Sequence, residues 1–197
     1  MAIKSSLRNM ALVLTLVCLG ASAAVAVIYA VTKDPIEIAK ADKTNKAIKQ
    51  VVPTFDNNPS EEILNVPADL SKPNETNKVY VAKKGEEVVG YAVESTTGKG
   101  FGGAFTIMVG FTPNGEVYNT SVISHSETPG LGAKITDGAS HFITQWNGKN
   151  LVDGSVKIAV TKDGGDIDAI TASTITSRAY CDAMEIAANV FNNINNQ

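Results

Sequence analysis

The sequence predicts an α+β protein with a single N-terminal transmembrane helix, followed by an antiparallel sheet with helices packed on one side. Three observations carry this expectation. No charged side chain occurs between Arg8 and Lys33, and apolar and polar residues alternate with period two from Lys78 to Ser124 around glycine-containing turns. The last segment, Ile175 to Ile194, returns apolar residues at helical spacing.

Composition bounds the problem. With 197 residues, 44% of them hydrophobic, the chain has room for one sizeable domain and an appendage. Its formal net charge is −3 and it has no cluster of Lys and Arg beside interleaved aromatics, which excludes a nucleic-acid partner. Cys18 lies in the apolar segment and Cys181 near the other end, so no disulfide framework is expected, and Cys181 reads as a buried thiol.

The uncharged stretch Asn9 to Thr32 exceeds the roughly 20 residues that a helix needs to cross the hydrocarbon of a bilayer. Lys4, Arg8 and the small-residue triplet Ala21-Ser22-Ala23 also fit a cleaved signal peptide. The apolar run continues through Val31, beyond the ~7–15 residues of a cleaved core, which favours a retained anchor. Lysines flank both ends of the span, but a large following domain translocates largely regardless of its charge. The expectation is a single-pass cell-membrane protein, in the inner membrane if the cell is Gram-negative, with residues 1–33 as cytoplasmic N-terminus and anchor and the soluble domain on the extracytoplasmic side.

Asp34, Pro35 and Glu37 form an N-cap, first-position and capping-box signal, predicting a new helix from Pro35 to Val51 that Pro53 stops. Thr54 to Asn77 holds three further prolines and little periodicity, and residues 34–77 are read as helix and connector. The domain proper is expected over 78–197. It begins with two hairpins, one around Lys84-Gly85 and one around Asn114-Gly115. A short helix within Asp137 to Gly148, a strand over Ser155 to Lys162 and the final helix complete the reading. In that helix Ile175, Ala179, Ala183, Ile186, Val190 and Ile194 share one face, widened by Met184, Ala187 and Phe191.

Three stretches carry the chemistry. "DAITASTITSRAY", Asp168 to Tyr180, places the hydroxyls of Thr171, Ser173, Thr174, Thr176 and Ser177 at a helix start. There, free N–H groups and the positive end of the helix dipole suit a phosphate, and a hydroxyl suits a simple cap. "GKGFGG", Gly98 to Gly103, and "HSETPGLGAK", His125 to Lys134, are glycine-rich loops at strand ends. Gly130 and Gly132 lack a Cβ and admit a flat ring or phosphate, while Glu127 can accept a hydrogen bond from a ring N–H and Thr128 can donate one. His125 and His141 have no metal-ligand spacing and read as surface or packing residues. Phe142 and Trp146 read as core.

Asp168 to Thr174 resembles the flavinylation motif of the FMN-binding domain family: Asp, two residues, Ser or Thr, Gly, Ala, and the Thr whose hydroxyl carries FMN as a phosphoester. Here Ala172 stands in the Gly position and Ser173 in the Ala position. The resemblance implies covalent FMN on Thr174, with Ser173 and Thr176 as alternative acceptors, and Thr171, Ser173 and Thr176 as phosphate or capping contacts. It adds Glu127, Thr128, Gly130, Leu131 and Gly132 as cofactor-binding residues and implies maturation by a flavin transferase. The block Glu127 to Gly132, the Gly98 to Gly103 loop and the single N-terminal span are similar to the G-subunit family of Rnf-type complexes. What this implies is an electron carrier, not an enzyme by itself, in a membrane complex whose other subunits move electrons between ferredoxin and NAD and couple this to ion transport. The C subunit of the Na⁺-translocating NADH:quinone reductase shares these motifs but is usually longer, and an anchored module without redox turnover is a third reading.

Overall fold

The computed structural model describes residues 6–72, 74–138 and 140–194, so Lys4 of the basic flank and Pro73 of the connector lie outside the described residues. Two compact units are present, Met1–Lys43 and Thr44–Gln197.

From Leu7 onward the described residues of the first unit belong to α1, Leu7–Val51. It includes a helix long and apolar enough to cross a membrane, and its large apolar side chains from Leu7 to Val31 are exposed. The helix start expected at Pro35 is not seen, because Pro35 lies inside α1. Proline removes one hydrogen bond, to the carbonyl four residues earlier, and good helix-forming sequence on both sides carries the helix through that loss. α1 ends at Val51, two residues before Pro53.

The second unit is an α+β domain with a five-stranded antiparallel sheet in the order β1-β2-β3-β4-β5. The strands are β1 Ile63–Pro67, β2 Thr76–Lys84, β3 Glu87–Thr97, β4 Phe105–Phe111 and β5 Val117–Ser124. Both predicted hairpins form. Gly85, at φ 65, serves the turn after β2, where Lys84 pairs with Glu87, and Gly115, at φ 84, serves the loop between Phe111 and its partner Val117.

The connector holds an edge strand that period-two reading does not find. β1 pairs antiparallel with β2, from Ile63 opposite Tyr80 to Pro67 opposite Thr76, but its burial does not alternate: the first three residues are exposed and the last two buried. The connector also holds the β2 side of the hairpin through side chains. Asn57 Nδ2 donates to the Val81 carbonyl, Asn57 Oδ1 accepts from the Lys83 N–H, and the Asp56 carboxylate accepts from the Gly85 N–H.

Alternation along the strands gives the sheet two buried faces. On one, Val79, Val93, Phe105, Ile107, Val109 and Phe111 pack with the last helix, α3, Thr174–Ile194. On the other, Tyr80, Ala82, Ala92 and Met108 pack with Ala47, Ile48, Val51 and Val52. A Cβ on Gly110 would run into the Val51 carbonyl, so helix end and strand touch backbone to backbone. The expectation of helices on one side only is therefore corrected.

Tyr180 centres the larger core, with ring centroids 5.2 Å from Phe142, 5.9 Å from Trp146 and 6.3 Å from Phe105, and its hydroxyl donates to Thr120 Oγ1 at 2.8 Å. Phe142 lies on α2, His141–Thr144, a single turn. Ser155 to Lys162 is not a strand. Its pairing is one bridge, Val160 to Ile167, because the chain doubles back through a 3₁₀ turn at Thr161–Asp163 and Gly165 packs against the Ala159 carbonyl. Along α3 the predicted face is buried at Ala179, Ala183, Met184, Ala187, Val190 and Phe191, but Ile175 is 50% exposed. In the first turn the buried positions are instead Thr176 and Ser177.

Candidate functional site

Three segments meet at the N-terminus of α3: the loop between β3 and β4, the loop after β5, and the chain leading into the helix. Together they line a cavity of about 300 Å³ with Phe101, Glu127, Thr128, Leu131, Gly132, Ala172, Ser173, Thr174, Ile175 and Thr176. The volume is at the lower end of small-molecule sites.

Two tight turns shape the walls. In the first, Leu131 N–H donates to the Thr128 carbonyl at 3.2 Å, with Pro129 and Gly130 between them and Gly130 at φ 77. This is the Pro-Gly pattern of a type II turn. Gly130 thus serves backbone conformation, since open space lies where its Cβ would be. In the second, Ser173 N–H donates to the Ile170 carbonyl at 3.0 Å, and Ala172 sits at φ 61, the only positive value at a non-glycine residue among those described. Ala172 occupies the position that favours glycine, and there a Cβ costs of order 1 kcal/mol.

Glu127 lies behind these turns at only 5% exposure. Its Oε1 accepts the Gly102 N–H at 3.1 Å and its Oε2 accepts the Thr176 hydroxyl at 2.8 Å, so one carboxylate joins all three segments. Gly100 and Gly132 make room for it: a Cβ on Gly100 would stand 2.7 Å from Oε1, and one on Gly132 would press into Oε2 and stand 2.8 Å from Thr176 Oγ1. The close approach that Gly132 permits is therefore to this carboxylate. His125 does not line the cavity; its Nδ1 accepts the Glu127 N–H at 3.1 Å.

The hydroxyl-rich segment divides by environment. Ser177 is fully buried, with Oγ accepting the Ile170 N–H at 2.9 Å and donating to the Ser173 carbonyl at 3.0 Å. Thr176 is committed to Glu127. Ser173 Oγ is buried without a hydrogen-bond partner among the described residues, so it does not cap the helix. Thr174 opens the helix, half-buried on the cavity wall. The N–H groups of the first helical residues have no acceptor four residues back within the helix. Thr171 and Gly130 are not on the cavity wall; Thr171 lines a separate cleft of about 270 Å³ with Lys134, His141 and Asp168.

A larger cleft of about 490 Å³ flanks α3 and shares Ile175 with the cavity. Its cations are engaged: Lys99 with Asp182, and Arg178 with Asp163 through Nε at 2.7 Å and Nη2 at 2.8 Å. Cys181 lies on it as a buried free thiol, and burial, with the Asp163 charge adding, pushes its pKa up to about 12. Among the described residues no cluster of His, Cys, Asp and Glu could hold a metal.

Two residues escape the sequence reading, one on the cavity wall and one on the chain that leads into it. Phe101 is 68% exposed on the wall, and an aromatic among five residues rich in glycine was the available signal. Gln145 binds Asp168 from 23 positions away with no local signal at all.

Residues 100–189, which include all three segments, match the FMN-binding domain family, and residues 1–51 match the RnfG N-terminal region. The chain is 36% identical over 187 residues to the G subunit of the ion-translocating oxidoreductase complex of Salmonella typhimurium, covering 92% of this chain and 89% of the relative. The corresponding G subunit of Yersinia pestis is 34% identical over 186 residues, covering 93% and 89%, and that of Vibrio atlanticus 33% over 196 residues, covering 98% and 93%. The chain belongs to the G-subunit family of ion-translocating oxidoreductase complexes.

Proposed function

We propose that this chain carries FMN bound covalently through its phosphate to Thr174 and serves as an electron relay in a membrane complex that couples ferredoxin:NAD electron transfer to ion movement. The observation that carries the reading is the position of Thr174. It opens α3 on the cavity wall, next to the buried and unpartnered Ser173 hydroxyl.

The residues present fit the group. A phosphoester to threonine keeps one negative charge on phosphorus, and the N-terminus of α3 offers N–H donors and a dipole end of matching sign. The Ser173 hydroxyl is left to donate to a phosphate oxygen. Thr176 is less suited as acceptor, because its hydroxyl is buried and committed to Glu127, whereas Thr174 is reachable from outside. Phe101, Leu131 and Ile175 present exposed apolar side chains on the same wall, suited to a flat aromatic ring. Bound FMN would supply the electron-carrying chemistry; the chain holds it, limits water around it and prevents its loss.

Attachment requires a flavin transferase, and an extracytoplasmic domain explains the covalent bond, since free FMN is scarce there. The apolar N-terminal helix anchors the chain in the cell membrane, the inner membrane of a Gram-negative cell, beside the other subunits of the complex.

The test is in-gel fluorescence of the denatured full chain after co-expression with a flavin transferase. A fluorescent band is expected for the wild type and for Thr176→Ala and is expected to vanish in Thr174→Ala. A dark wild-type band, or a fluorescent Thr174→Ala band, overturns the reading.

A further inference from the structure

Asp168 opens the attachment motif yet does not line the cavity. It faces the neighbouring cleft of about 270 Å³, with its side chain 62% exposed. Its role in the motif must therefore be exercised from outside the flavin site, and the structure shows what holds it there.

Gln145 follows α2 and grips the peptide groups on both sides of Asp168. Its Oε1 accepts the Asp168 N–H at 2.8 Å and its Nε2 donates to the Asp168 carbonyl at 3.0 Å, with a second donation to the Phe142 carbonyl at 3.1 Å. A side-chain amide here takes the place of a neighbouring strand. His141, on the same turn, places Nε2 3.1 Å from Asp168 Oδ2. Two residues on, the Ser177 hydroxyl accepts the Ile170 N–H. The turn that presents Thr174 is therefore suspended between Gln145 on one side and Ser177 on the other, and only the Ser177 clamp is built from the helix itself.

We propose that Gln145 is a positioning residue for flavin attachment: it fixes Asp168 and the 168–173 backbone so that a flavin transferase meets the Asp168 carboxylate and the Thr174 hydroxyl in one fixed relation. The proposal rests on Thr174 being the acceptor. In the step it serves, Thr174 Oγ forms a new bond to the flavin-side phosphorus of a flavin dinucleotide. The phosphoanhydride bond of that donor breaks, its nucleoside monophosphate leaves, and the hydroxyl proton passes to a base of the transferase. Gln145 takes no part in bond making. Without it the segment samples other conformations, and the apparent affinity for the transferase falls by the fraction of chains still in the competent one.

The test uses the full-length chain in detergent, a purified flavin transferase and a flavin dinucleotide, with initial rates read by fluorescence of the denatured product. Gln145→Met keeps the bulk of the side chain and removes its hydrogen bonds. The expected result is a KM for the protein substrate raised about tenfold with kcat retained. Amide exchange in the flavin-free protein supplies a second readout: the Asp168 amide loses protection while the β4 amides keep theirs. Should Gln145→Met lose β4 protection as well, Gln145→Glu is read the same way; it keeps an acceptor for the Asp168 N–H, loses the donor to the carbonyl and sets a second negative charge near Asp168. An unchanged KM in the folded variant overturns the positioning role and leaves the Thr174 assignment intact. Labelling of Thr174→Ala overturns that assignment instead.

Discussion

Thr176 and Glu127 stand 49 positions apart in the chain, and the hydroxyl of the first donates to Oε2 of the second at 2.8 Å in a buried setting. This bond ties the first turn of α3 to the loop after β5, while the other carboxylate oxygen takes the Gly102 N–H of the third segment.

Removing that carboxylate leaves the Thr176 hydroxyl and the Gly102 N–H without their acceptor. Each orphaned group costs about 1–3 kcal/mol, so Glu127→Ala is expected to destabilise the domain by roughly 2–6 kcal/mol. Glu127→Gln keeps an acceptor for Gly102 and lets the Thr176 hydroxyl turn to receive a hydrogen, for a loss of about 1 kcal/mol. Urea unfolding of the detergent-solubilised chain, followed by tryptophan fluorescence from buried Trp146, measures both.

Gly132→Ala tests the tight approach from the opposite side. A methyl group there meets Glu127 Oε2 and Thr176 Oγ1. Overpacking of this kind costs about 1–3 kcal/mol. Gly130→Ala meets open space but a φ of 77, so its cost is the smaller backbone term of about 1 kcal/mol. A larger loss of thermal stability at 130 than at 132 contradicts this division of roles.

Ala172→Gly is expected to stabilise the domain. Relief of the positive φ at Ala172 gains about 1–2 kcal/mol, and the added freedom of the unfolded chain takes back about 0.4–1 kcal/mol. The melting temperature rises accordingly; a fall shows that the Ala172 methyl makes a contact worth more than the strain.

Cys181 gives a prediction in pH. Its folded thiol, at about 12, holds its proton more tightly than the ordinary value of 9.0, so the associated stability is complete below about pH 9 and lost as pH rises from 9 towards 12. By pH 10 the loss is about 1 kcal/mol. In a Cys18→Ser background the native chain should also react with iodoacetamide at pH 8 about three orders of magnitude more slowly than the unfolded chain. Equal rates in the two states rule out the buried thiol.

The parts of this fold that were legible in the sequence are those whose cause is local. The two hairpins announce themselves through Gly85 and Gly115, because a tight turn needs a residue tolerant of positive φ. The burial of Ala179, Ala183 and Val190 follows from helical period alone. The misses have non-local causes. Ile63 to Pro67 pairs with β2 without alternating, the apolar run within Ser155 to Lys162 joins no strand of the sheet, and the Asp34-Pro35 signal is overridden by a helix already under way. At the site, the polar motif residues were visible as types in a pattern. That Glu127 faces Thr176 and Gly102, or that Gln145 grips Asp168, depends on contacts spanning 23 to 49 positions.

The packing of Val51 against Gly110 bears on how a water-soluble fragment of this chain should be cut. The segment Ala47 to Val52 covers Tyr80, Ala82, Ala92 and Met108. A fragment begun at Lys78, where the hairpins start, discards that cover together with β1, leaving an apolar sheet face and a bare strand edge to drive aggregation. One begun at Thr44 keeps both, at the expense of two helical turns that must hold their shape with no apolar anchor ahead of them.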